Sequence, residues 1–77
     1  MTWDHEIDAS GLLCPLPVLR ARKRLLAMAG GQVLRLIATD PAAVIDVPHF
    51  CAEAGHVLIG TEAADVGQVY LIRCRRD

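Results

Sequence analysis

The chain has 77 residues, 53% apolar and 22% charged, with a formal net charge of −1. That length suits one small domain over residues 1–77, near the size at which a core is only just sufficient, and the composition is too apolar for disorder. A pI near 6.2 gives no global push toward nucleic acid, no apolar run is long enough to span a bilayer, and the acidic start Met1-Thr2-Trp3-Asp4-His5-Glu6 lacks the basic region of a signal peptide. The expectation is a cytoplasmic protein that engages neither membrane nor nucleic acid directly.

In chain order, His5 to Ala9 reads as a short strand carrying Ile7, followed by a turn at Ser10-Gly11. Pro15 to Ala29 reads as a helix, with Pro15 at its first position and Gly30-Gly31 as its stop. Val33 to Thr39 is a strand of mostly apolar and β-branched residues. Asp40-Pro41 signals a helix start, with Asp as cap and Pro at the first position. The helix from Ala42 to Ala54 contains Pro48, which predicts a break or tightening near Val47, and Gly55 ends it. Val57 to Glu62 and Val69 to Arg75 are strands joined by the hairpin loop Ala63 to Gly67.

The order βαβαββ predicts a two-layer α/β (α+β) sandwich. Right-handed crossovers place both helices on one face of a sheet whose other face stays open, and the closing hairpin adds an antiparallel member. Leu34, Leu36 and Ala38, with Tyr70, Ile72 and Cys74, alternate onto the covered face. Arg35, Arg73 and Arg75 fall on the open face together with Val33, Ile37 and Leu71. Nucleic-acid binding there would lack stacking aromatics, since Tyr70 is the one aromatic of those strands and should point inward. In the first helix, Val18, Ala21, Leu25 and Met28 form the core stripe, and Arg20, Lys23 and Arg24 lie on the far side. Burying Leu19 and Leu26 instead would bury Arg22, so Leu19 and Leu16 are expected to stay partly exposed beside Cys14. Scattered surface leucines are common, yet apolar residues next to a reactive sulfur suit docking.

The candidate chemistry sits at Cys14-Pro15-Leu16-Pro17. Pro15 opens the helix, so Cys14 is the N-cap or its neighbour, exposed and slightly acidified by the helix dipole. Sulfur is a poor cap compared with Ser, Asp or Asn, which argues that it is there for its reactivity. The dipole alone shifts a thiol only slightly, and Pro15 and Pro17 remove two amide donors. Only the Leu16 N–H, and secondarily that of Val18, remains to support a thiolate. Cys14 therefore reads as a moderately reactive sulfur. A thiol protease or transferase needs a base, an orienting group and an oxyanion site. A dithiol oxidoreductase needs a nearby resolving cysteine, and this motif holds none. A carrier needs only an exposed sulfur on a rigid element. Cys51 and Cys74 read as small core hydrophobes. An odd count of three cysteines without a Cys-x-x-Cys pair argues against a disulfide framework, and only nonlocal convergence with His49 or His56 would build a zinc site.

These residues resemble a known family. Asp8-Ala9-Ser10-Gly11-Leu12-Leu13-Cys14-Pro15-Leu16-Pro17, Arg22-Lys23, Asp40-Pro41-Ala42, Asp46-Val47-Pro48 and Phe50-Cys51 together are similar to the TusA/SirA sulfur carriers, over Ile7 to about Arg73. The resemblance implies a sandwich like the C-terminal domain of translation initiation factor 3, with a mixed sheet in which the last strand lies between the second and third. It implies a transient persulfide on Cys14; no bound cofactor or metal is expected. The sulfur would come from a cysteine desulfurase or rhodanese and pass to a downstream relay protein, in tRNA thiolation, cofactor sulfuration or sulfur oxidation. The chain would act as a sulfurtransferase-type carrier rather than a free-standing catalyst. Pro15, Leu16 and Pro17 support the motif, and Leu19, Arg20, Lys23 and Arg24 are the expected partner surface. Members that thiolate tRNA often carry glutamate where this chain has Leu16, so Leu16 bears on which partner is served. The alternative is a cysteine-based redox or regulatory module that binds a protein.

Overall fold

The computed structural model describes residues 2–75. Among them the chain forms β1 (His5–Ala9), α1 (Leu16–Leu26), β2 (Val33–Ala38), α2 (Ala43–Ala54), β3 (Val57–Ala63) and β4 (Gln68–Arg73). The sheet order is β1-β2-β4-β3. β1 and β2 pair in parallel, and β4 runs antiparallel to both β2 and β3. This is the expected mixed sheet, with the last strand between the second and third.

The alternation in β2 and β4 produces the two layers. Leu34, Leu36, Ala38, Tyr70, Ile72 and Cys74 are buried together with Ala21, Leu25 and Met28 from the first helix and its exit, and with Ala43, Val47 and Cys51 from α2. Val18, Leu12, Phe50, Ile7 and Leu58 pack around this core half-buried. The register places Leu34 opposite Ile72 and Leu36 opposite Tyr70, and these four, with Leu25 and Val47 from the helices, are the largest fully buried side chains. Edge strand β3 shifts register between Leu58 and Gly60, a bulge that inserts Ile59 and twists the edge.

Several boundaries differ from expectation for tertiary reasons. The first helix stops at Leu26 rather than Ala29. Its last bonds tighten to three-residue spacing, from the Ala27 N–H to the Arg24 carbonyl and from the Met28 N–H to the Leu25 carbonyl. The Ala29 N–H turns instead to Gln32 Oε1 at 2.9 Å, and the Gly31 N–H to the Cys74 carbonyl. The chain leaves the helix early because this turn docks on the end of the last strand. That strand begins one residue sooner than expected, at Gln68, and ends at Arg73, leaving Cys74 and Arg75 beyond it. β2 ends at Ala38, and β3 extends to Ala63.

The second helix opens at Ala43, one residue late, through a tight turn in which the Ala43 N–H bonds the Asp40 carbonyl. Asp40 still receives the Ala42 N–H on its side chain at 3.2 Å. The break expected at Pro48 does not occur: α2 is continuous to Ala54 and ends on Gly55 at φ 81°. Pro48 removes one N–H, normally given to the Val44 carbonyl, but the buried Ala43, Val47 and Cys51 hold both sides of it to the core. On the open face, Val69 and Leu71 are buried at 3% and 4%, as befits the central β4. Arg35 pairs with Glu6 and lies 4.8 Å from the Trp3 ring centroid. Trp3 is an aromatic beside this face that strand patterning missed, because it precedes β1. Tyr70 points inward as expected, 1% exposed.

Candidate functional site

The segment between β1 and α1 is fixed by bonds from three places. The Ser10 N–H donates to Asp8 Oδ1, the Leu12 N–H to the Ala9 carbonyl, and the Gly11 N–H to Thr39 Oγ1 across the sheet at 2.9 Å. Gly11 takes φ 80°, a value that favours a residue without Cβ. The Cys14 N–H then donates to Asp40 Oδ2 at 2.6 Å. The Cys14-Pro15 peptide is cis. Pro15 is the N-cap rather than the first helical residue; Leu16 follows it, and Pro17 is second and buried. Cys14 is therefore the neighbour of the cap, and it is exposed.

The sulfur has a partner that motif reading did not supply. The Cys14 Sγ–H donates to Asp46 Oδ2 of α2 at 2.8 Å. This bond, then local burial, then the charges of Asp46 and Asp40 hold the thiol above its ordinary pKa. That overturns the expectation of slight acidification. A weak dipole loses to a direct bond with an ionised carboxylate. The Leu16 N–H, expected to support a thiolate, is already given to the Leu13 carbonyl at 2.9 Å. Asp40 and Asp46 lie 26 and 32 residues from Cys14 in sequence. Their signals were visible as a helix-start motif and an Asp-x-Pro motif, but neither reveals its target.

A groove of about 510 Å³ lies beside Cys14 between the two helices. Arg22 and Val18 line it from α1, and Asp46, His49, Phe50 and Glu53 from α2. His49 Nε2 pairs with Glu53 Oε1 at 3.0 Å. Arg22, the residue that burying Leu19 and Leu26 would have buried, lines this groove instead.

The leucines behave as expected: Leu16 and Leu19 are 45% and 49% exposed, and Leu13 reaches 69%. Across the site, Val44 and Ile45 of α2 are also exposed. Leu16, Leu19, Arg20 and Lys23 line one shallow depression. Arg24 instead joins Arg20 and Lys23 around Ile7 on the β1 side. The expected partner residues thus form one outer face of α1, with Arg24 at its far margin and half-buried.

Cys51 and Cys74 are free and buried. The Cys74 thiol donates to the Leu25 carbonyl at 3.4 Å. Among the described residues, no group of three or more His, Cys, Asp or Glu side chains is placed to hold a metal, and no helix is long and apolar enough to cross a membrane.

The fold and site define a small α/β protein that presents one exposed thiol at a helix entrance. The chain matches the family model described as sulfurtransferase TusA over residues 5–76. It is 56% identical, over 57 residues, to the sulfur carrier protein TusA of Allochromatium vinosum, spanning 74% of this chain and 75% of that one. The crystal structure of a SirA-like protein from Desulfitobacterium hafniense shares the fold, with a TM-score of 0.79 at 23% identity, over 96% of this chain and all of that one. The chain belongs to the TusA family of sulfur carriers.

Proposed function

We propose that Cys14 is the sulfur-bearing residue, taking a sulfane sulfur as a persulfide from a cysteine desulfurase or rhodanese and passing it to a relay protein. The observation that carries this reading is the exposed Cys14 thiol held at an anchored helix entrance while Cys51 and Cys74 are buried. A sulfur with no second thiol in reach is suited to holding cargo, because no internal attack discharges it as a disulfide. The same observation disfavours a dithiol switch.

Leu16 and Leu19, with Arg20 and Lys23 beside them, form the surface on which donor and acceptor alternate. Its basic rim favours partners with an acidic border, and Arg24 extends that rim. Pro15 and Pro17 fix the geometry of the entrance. The acceptor serves tRNA thiolation, cofactor sulfuration or sulfur oxidation, and the apolar Leu16 is the position within the motif that selects among such partners. The setting is the cytoplasm, where a lone thiol stays reduced.

Incubation with a desulfurase and cysteine, followed by intact-mass measurement, tests the assignment. The parent chain gains the mass of one sulfur atom, which reductant removes, and Cys14→Ser gains none. A gain that persists in Cys14→Ser overturns it.

A further inference from the structure

We infer that Asp46 is the residue that holds the Cys14 proton in the unloaded carrier and thereby sets when the sulfur becomes nucleophilic, an assignment that rests on Cys14 being the sulfur-bearing residue. The geometry is direct: Asp46 Oδ2 accepts the Sγ–H at 2.8 Å. Two of the donors that could stabilise a thiolate are committed elsewhere. The Cys14 N–H goes to Asp40 and the Leu16 N–H to Leu13. Among the described residues, Asp46 and Asp40 act on the sulfur, and the other titratable or charged groups lining the groove beside it are His49 and Glu53 from α2 and Arg22 from α1. His49 is engaged by Glu53, which leaves Arg22 as the cation that α1 brings to this groove.

Sulfur uptake requires the Cys14 thiolate to attack the outer sulfur of a donor persulfide. A new S–S bond forms on Cys14 as the donor's S–S bond breaks. The electron pair of the broken bond stays on the donor cysteine sulfur, which takes up a proton equivalent to the one Cys14 releases. No net oxidation occurs. Asp46 touches that proton at the start of the path, so attack waits until a docked donor draws it away. After loading, the same carboxylate acts in the opposite sense. A persulfide is a stronger acid than its parent thiol and is anionic near neutral pH. Its charge then stands beside Asp46 and Asp40, which repel it and favour handing the sulfur on. Asp46 thus protects the empty carrier and destabilises the full one.

The test follows iodoacetamide alkylation of the full chain against pH. Cys14 is the exposed thiol, with Cys51 and Cys74 only 2% and 6% exposed. Asp46→Asn moves the profile to lower pH and speeds alkylation several-fold near neutrality, whereas Asp46→Glu stays close to the parent. An Asp46→Asn profile that superimposes on the parent, or moves to higher pH, overturns the inference. In the unaltered chain, the NMR signal of the Asp46 carboxyl carbon shifts in step with Cys14 ionisation in the alkaline range. A signal that ignores that step refutes the inference without any variant. Neither readout uses sulfur loading. Failure of Cys14 to load sinks the carrier assignment, while failure of these titrations sinks only the role of Asp46.

Discussion

Cys14 illustrates how a side chain's chemistry is set by residues far from it in sequence. Its neighbours, two prolines and a helix terminus, favour a mildly acidic thiol; two carboxylates from the other helix region reverse the sign. The two have different tasks. Asp46 binds the sulfur, and Asp40 binds the backbone of Cys14 and also the Ala42 N–H at the α2 entrance. Asp40→Ala therefore removes two bonds from the junction of the two helix entrances. It should lower stability by about 1–2 kcal/mol, read as the urea midpoint of the far-UV signal. The same variant should shift Cys14 alkylation to lower pH by less than Asp46→Asn does, since Asp46 bonds the sulfur directly and Asp40 does not. A larger shift from Asp40→Ala would reverse the assigned roles.

At the level of elements, the β3–β4 hairpin fixes the end of β2 and thus the place from which Asp40 reaches Cys14. Gly67 closes this hairpin, its carbonyl accepting the Ala64 N–H at 3.2 Å. It has φ 78°, and a Cβ there would collide with the Ala38 carbonyl oxygen and come within 2.6 Å of the Thr39 Cα. Both neighbours are backbone and have no rotamer to yield. Gly67→Ala should cost about 2–4 kcal/mol, from the left-handed backbone and the displaced β2 terminus together. Thermal unfolding measures the loss. The cross-strand amide of Gly11, bonded to Thr39 Oγ1, should lose hydrogen-exchange protection in parallel. An unchanged melting temperature would show that the hairpin does not brace β2.

For the molecule as a whole, stability should depend on alkaline pH through its sulfurs. Burial pushes the Cys51 thiol up to about 11, whereas in the unfolded chain a cysteine ionises near pH ~8.5. Below the lower value both states keep the proton and stability is flat. Above it the unfolded chain loses the proton first, so stability falls by about 1.4 kcal/mol per pH unit until the native thiol ionises as well. Cys14 and Tyr70 are raised too and add in the same direction. A domain of this length has roughly 4–12 kcal/mol in total, so the fall is a sizeable share. The urea midpoint should drop between about pH 8 and about pH 10, and less steeply in Cys51→Ala. An equal drop in that variant would assign the effect elsewhere.

What the sequence determined by itself was everything governed by local periodicity and chain punctuation. The order of elements follows from apolar alternation in Leu34, Leu36 and Ala38 and from the helical stripe of Ala21, Leu25 and Met28. The exposure of Leu16 and Leu19 follows from the cost of burying Arg22. The exposure of the Cys14 sulfur at a helix entrance follows from the prolines that open the helix, although Pro15 rather than Cys14 takes the cap position. The tertiary structure alone decided what depends on distance across the fold. It ended the first helix at Leu26, because the next turn docks on Cys74. It kept α2 continuous through Pro48, because buried residues on both sides outweigh one missing hydrogen bond. It also brought Asp40 and Asp46 to Cys14, and so changed a thiol expected to be slightly acidified into one held protonated. Local sequence encodes the backbone's preferences, but a thiol's acidity depends on the charges around it, and only folding places those.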